Sequence, residues 1–298
     1  MSPASGNPDL RRNGILIASA GVLVLSFDAL LIRLAATSEW NVVFWRGWLM
    51  MLSITCVILA SRRPVAWPQG MRRWCAAAAI SVLYGFTATL FVYSVSHTHV
   101  ANTVVILASA PLFAALFSWL LLRERIARRT LVAIAVAIAG VVFIFVDALG
   151  ALRWRGDLAA LVLAVTMGGA LTLLRRFPEL PRLPLIAASG AVAGLIALPL
   201  AQPLSLTPES YFWLAVMGLV QIPLATGLVM TATRHLPSPE VGLFLLIETV
   251  LGPLWVWLVI GEAVPRNTLL GGVLIIGTIA LNSWLALRAV RRATRRAG

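Results

Sequence analysis

Four ionisable residues stand inside long apolar runs of the chain: Asp28, Arg33, Arg46 and Glu248. A charge at membrane depth is costly, so such residues face a bundle interior and mark the path of an ion or solute. Arg46 follows Trp45 and precedes Trp48, and a guanidinium among aromatic rings suits a substrate carboxylate. Glu248 lies in the middle of its run, where a carboxylate can contact a substrate amine or carry a proton. Each has a structural alternative as well. Arg33 and Arg46 fit an ion pair or a snorkelling side chain, and Glu248 an interhelical hydrogen-bonded anchor. Asp28 and Arg33 are five residues apart on one helix, about 140° round its axis, so they do not stack directly.

Weaker polar groups fall into stripes. Asn102 and Ser109 are seven apart and share a helix face; Tyr84, Thr87 and Phe91 share another. Thr166 and Thr172 flank Gly168-Gly169, and Gln221 lies two residues before Pro223. Tyr84, Thr87, Asn102, Ser109, Thr166 and Gln221 join Arg46 and Glu248 as candidate cavity residues, against the alternative of helix–helix packing. Pro111, Pro223 and Pro253 lie within runs, remove helix hydrogen bonds and are read as kinks or hinges. His97-Thr98-His99 sits in a short loop with no third ligand near in sequence, so no metal site is expected. Cys56 and Cys75 form no disulfide framework or metal spacing. No G-x-x-x-x-G-K-[ST], G-x-S-x-G or H-E-x-x-H occurs. An intramembrane enzyme would need paired acids or a Ser/His or Cys/His set at depth, and no deep histidine accompanies Asp28 and Glu248. No catalytic residue and no cofactor is expected.

The elements that must hold these groups follow from composition. The 298 residues are 60% hydrophobic and 12% charged, too apolar for a soluble domain. A bilayer core needs about 20 apolar residues per helix. Ten runs fit, at 13–36, 40–61, 72–96, 99–123, 128–148, 156–177, 183–203, 210–234, 238–261 and 267–288. In lipid their backbone must be bonded within each segment, so the fold class is an all-α integral membrane protein. Linkers are marked by Arg62-Arg63-Pro64, Arg123-Glu124-Arg125, Pro178 to Pro181, Thr207-Pro208 and Pro237-Ser238-Pro239. The net charge of +13 comes wholly from arginine and clusters at run ends, which argues against nucleic acid as a partner. With the N-terminus inside, only Arg153, Arg155 and Arg266 fall outside, a strong positive-inside bias. Both tails, 1–12 and 289–298, are then cytoplasmic, and the arginine-rich C-terminal tail touches anionic headgroups. Trp40, Trp67, Trp74, Trp154 and Trp213 suit interface belts.

The chain also repeats. Moving 138 positions on, His97 falls on His235, Trp119 on Trp257, Glu124 on Glu262 and Thr130 on Thr268. The halves are 13–148 and 156–288. Each holds five spans, an odd number, so the second must lie upside down relative to the first. Inverted repeats around a midplane site are the architecture of secondary transporters.

The stretches PLFAALFSWLLLRE (Pro111 to Glu124) and ETVLGPLWVWLVIGE (Glu248 to Glu262), each followed by a Gly/Ala-rich helix, resemble the EamA repeat of the drug/metabolite transporter superfamily. More narrowly, the chain is similar to bacterial YddG-type exporters of aromatic and other amino acids. The resemblance covers about residues 13–288. It implies a ten-helix protein of the bacterial inner membrane, with a central cavity lined mostly by spans 1, 3, 4, 6, 8 and 9. One departure stands out: Glu248 is followed by Thr249 where the repeat usually has proline, and Pro253 comes four residues later, which would displace the break in the ninth span.

The expected function is secondary transport by alternating access, exporting amino acids, aromatic and other small ones. Other small metabolites or drugs are the alternative substrates. The expected partners are that small-molecule substrate and membrane lipids. The Ala133–Ala137, Ala135–Ala139 and Gly271–Ile275 spacings read as close-packing faces within a monomer, with a homodimer contact as the alternative.

Overall fold

Every described element is helical, as backbone in lipid must be. The computed structural model describes residues 8–61, 67–123, 132–133, 135–143, 153–232 and 238–297. The helices are α1 (Pro8–Leu25), α2 (Asp28–Leu34), α3 (Glu39–Ser61), α4 (Met71–His97), α5 (Val100–Leu107) and α6 (Ala110–Leu122). After them come α7 (Trp154–Arg176), α8 (Arg182–Ala197), α9 (Pro208–Ala215), a π-helical turn (Val216–Gln221), α10 (Ile222–Ala232), α11 (Ser238–Ile260) and α12 (Arg266–Ala297). Of the expected fifth span at 128–148, residues 132–133 and 135–143 are described, and they are helical. The linkers at Arg62–Pro64 and Glu124–Arg125, and Thr130 and His235 of the repeat, lie outside the described residues.

Among the described residues six stretches are long and apolar enough to cross a membrane: Asn13–Leu34, Glu39–Ser61, Met71–His97, Val100–Leu121, Trp154–Arg176 and Pro208–Val229. Arg182–Ala197 and Ile247–Ile260 are apolar but shorter. The expected span at 183–203 is cut after Ala197, where Pro199 and Pro203 prevent the helix from continuing. At the other end of the chain, α12 runs on as one helix through Ala297. Large apolar side chains such as Leu59, Val259 and Val273 lie exposed on outer faces, where only lipid would cover them.

Among the described residues three spans are interrupted, two of them beside a proline. Pro111 has no N–H for the Leu107 carbonyl, so the helix breaks after Leu107 and restarts at Ala110. Ser109 therefore lies in the break itself, and does not share a regular helix face with Asn102. Pro223 likewise cannot bond to the Leu219 carbonyl. The chain widens into the π turn just before it, and Leu219 O accepts Ser53 Oγ of α3 instead, at 3.0 Å. The third break, at Ser26-Phe27, has no proline. Trp255 Nε1 donates to Ser26 Oγ (2.9 Å) and Gln221 Nε2 to the Val24 and Leu25 carbonyls (3.2 and 3.4 Å). Gln221 thus satisfies two carbonyls at the break, while Trp255 holds the Ser26 hydroxyl. Pro253 sits within α11 without ending it.

The packing pairs up when the two halves of the chain are exchanged. α4 against α7 has its counterpart in α10 against α1. α5 and α6 against α7 correspond to α11 against α1 and α2, while α3–α8 and α5–α11 map onto themselves. At α3–α8 the approach is close: a Cβ on Gly47 would lie 2.5 Å from the Gly190 carbonyl oxygen, and one on Gly190 would lie 2.6 Å from that of Gly47.

Candidate functional site

The break in the first span places Asp28 in the opening turn of α2, deep in the bundle and only 4% exposed. Facing it from α3 is Arg46, whose Nη2 donates to Asp28 Oδ2 at 2.9 Å. The guanidinium also lies 5.7 Å above the ring centre of Phe91 from α4. Glu248 of α11 interacts electrostatically with both Asp28 and Arg46. Phe27 stacks on Trp255 at 5.0 Å beside this group, fixing α2 to α11.

The set is not fully satisfied. Asp28 Oδ1, Arg46 Nη1 and Gln221 Oε1 are buried and have no hydrogen-bond partner among the described residues. Unpaired buried polar atoms are costly and call for an explanation such as a ligand or ordered water. Asp28 pairs with Arg46, and Glu248 is coupled electrostatically to both, so two carboxylates share one guanidinium's charge. If both ionise, one negative charge is left over, and a proton or a substrate ammonium would balance it.

Other candidates lie elsewhere. Thr87 Oγ1 reaches Thr166 Oγ1 at 3.4 Å across the α4–α7 seam, and Thr166 also bonds the Val162 and Leu163 carbonyls. Tyr84 packs against the apolar group of Ile80, Leu180 and Leu185. Ser109 Oγ donates back to the Ile106 carbonyl at the end of α5 (2.6 Å) and borders a small apolar space of about 80 Å³. Asn102 is held in a buried network. Its Nδ2 donates to both oxygens of Asp157 at 3.1 Å and to Thr98 Oγ1 at 3.3 Å, and its Oδ1 accepts from Thr268. Asp157, fully buried, was missed in the sequence because it sits in the first turn of its helix, beside Arg153 and Arg155.

A second polar group closes the end of the bundle that carries His97 and His99. Arg33, in the last turn of α2, donates through Nη2 to Glu262 Oε2 (2.9 Å) and to the Thr98 carbonyl (3.0 Å). Glu262 Oε1 accepts the Val100 N–H at 3.0 Å and lies 3.4 Å from His99 Nδ1. His99 Nε2 meets Arg153 Nη1, and His97 Nε2 stands 3.9 Å from Glu39. Partial burial would raise the Glu262 pKa. The hydrogen bonds from His99 and the Val100 N–H, with the charges of Arg33 and His99, outweigh that and hold the carboxyl below its usual range. A cavity of about 250 Å³ opens among Arg33, His97, His99, Arg153 and Glu262. Among the described residues no three metal-binding side chains cluster.

Two comparisons bear on this arrangement. The family model described as the EamA-like transporter family matches the chain twice, at residues 12–146 and 154–284. A crystal structure described only as that of a protein shares the fold, with a TM-score of 0.65 at 20% identity, over 93% of this chain and 99% of the other. No curated protein matches.

Proposed function

The chain belongs to the EamA-like transporter family, and from that premise we propose that it exports amino acids by alternating access across the bacterial inner membrane. Ten spans in two inverted five-helix repeats would place the Asp28–Arg46–Glu248 set between the halves. The exchange-related packing, with α3–α8 and α5–α11 mapping onto themselves, supports that architecture. The observation that carries the substrate reading is the Arg46–Asp28 ion pair, coupled electrostatically to the half-buried Glu248, with Arg46 Nη1 and Asp28 Oδ1 buried and unpartnered. An amino acid brings the complement. Its carboxylate suits Arg46 and its ammonium suits Asp28 or Glu248, while Phe91 offers an apolar face beside them. Of the eight candidate cavity residues, Arg46 and Glu248 would touch the solute. Gln221 would hold the adjoining helix break, and Thr87, Thr166, Tyr84, Asn102 and Ser109 would shape the surrounding seams. Pro111 and Pro223 would let the helix halves on either side of each break turn separately, with Pro253 bending α11.

The test is uptake of radiolabelled amino acids into liposomes holding the purified protein, with and without a pH gradient. Uptake above empty vesicles is expected, together with a loss of at least tenfold for Arg46→Gln, since a charge-assisted contact contributes about 1.5–3 kcal/mol. Uptake no faster than in empty vesicles would remove the substrate reading. Unchanged transport by Glu248→Gln would return that residue to a purely structural role.

A further inference from the structure

The cavity at the histidine end repeats, in different residues, the chemistry of the buried set. There is again a guanidinium–carboxylate pair, Arg33 with Glu262, again with an unpartnered donor: the Nε of Arg33 is buried and makes no hydrogen bond among the described residues. A second cation, Arg153, borders the same space through its contact with His99. We propose that this cavity is a second binding subsite for the zwitterionic solute, standing between the Asp28–Arg46 pair and that face of the protein. The inference rests on the amino-acid reading given above.

Three observations carry it. The space measures about 250 Å³, just under the roughly 300–1,000 Å³ of pockets for drug-sized ligands, so it has room for a small amino acid. Its charges are mixed, with Arg33 and Arg153 placed for a carboxylate and Glu262 for an ammonium, so a zwitterion is matched at both ends. Finally, α2 joins the two places. Asp28 stands in its first turn and Arg33 in its last, about 7.5 Å apart along the axis at 1.5 Å per residue. A solute leaving Arg46 would have to pass about 140° round α2 as well as little more than one turn along it to meet Arg33. The pair also spans the two repeats, because Arg33 lies in the first matched region and Glu262 in the second. An occupant would therefore touch both halves as they part.

Equilibrium binding of tritiated L-alanine to the purified full-length protein tests this. Wild type is expected to bind two molecules per chain. Arg33→Gln and Glu262→Gln should each weaken one site by at least tenfold and leave one molecule per chain at concentrations that fill both sites in wild type. Arg46→Gln should abolish the other. Arg153→Gln, on an exposed side chain, repeats the test where either of the first two variants fails to fold, and should weaken the same site. If these variants still bind two molecules while transporting more slowly, the pair is only a latch and the subsite is refuted. A wild type that binds a single molecule refutes it too, while leaving the amino-acid reading intact. A wild type that binds none removes both.

Discussion

Glu262 shows how one carboxyl can report on the closure of the bundle. Its four neighbours are Arg33, His99, the Val100 N–H and, through His99, Arg153. These hold its pKa in the folded protein below that in the unfolded chain. Such a group adds stability that is fully present above the ordinary glutamate pKa of about 4.3, and that is lost as pH falls through the lower folded value. The melting temperature of the detergent-purified protein should therefore drop more steeply in wild type than in Glu262→Gln as pH falls below about 4.3. Parallel curves for the two would show that the carboxylate adds nothing. The charges at depth were legible in the sequence, because Asp28, Arg33, Arg46 and Glu248 interrupt apolar runs. Their partners were not. Arg46 meets Asp28 only because α2 restarts there, and Arg33 meets Glu262 across 229 positions of chain. Asn102 reads from the sequence as a cavity candidate because its partner, Asp157, is 55 positions away in the first turn of another helix.

Between helices, α3 and α8 approach backbone to backbone at Gly47 and Gly190. Adding a methyl group at Gly190 would set it 2.6 Å from the Gly47 carbonyl oxygen, which cannot turn aside as a flexible side chain can. Gly190→Ala should lower stability by about 1–3 kcal/mol, seen as a clear fall in melting temperature in detergent. Gly227→Ala in α10 is the control: nothing lies within 4 Å of its Cβ, and alanine is the better helix former. Equal effects at the two positions would show that the close approach is not what Gly190 serves. The helix breaks differ in how far the sequence announces them. Pro111 and Pro223 mark two, and the π turn beside Pro223 follows from the missing N–H. The break at Ser26-Phe27 has no local signal. It exists because Gln221 and Trp255, some two hundred residues on, take up its polar groups.

For the molecule as a whole, transport by alternating access turns on which way each half faces. Packing that survives exchange of the halves fits a twofold relation, and the arginine distribution fits an arrangement with the His97 end outside. Two loops separate the ends of the bundle. Ser205 lies beside the start of α3, since Gln202 N–H donates to Asn41 Oδ1 and the Pro203 carbonyl accepts from Trp45 and Tyr211. Gln69 lies just before α4, at the opposite end of that helix from His97. Both are exposed, so each will take a reactive label. With Cys56 and Cys75 first replaced by serine, Ser205→Cys should react with a membrane-impermeant maleimide on intact cells. Gln69→Cys should react only after permeabilisation. The two sites are joined by an odd number of proposed crossings, from the third span to the seventh, so they must lie on opposite sides if that count is right. Labelling of both from outside would mean a span has been miscounted, and with it the inverted relation of the halves would go. The reversed pattern would keep the inversion and turn the molecule over, making the Arg33–Glu262 cavity an entrance from the cytoplasm rather than an exit.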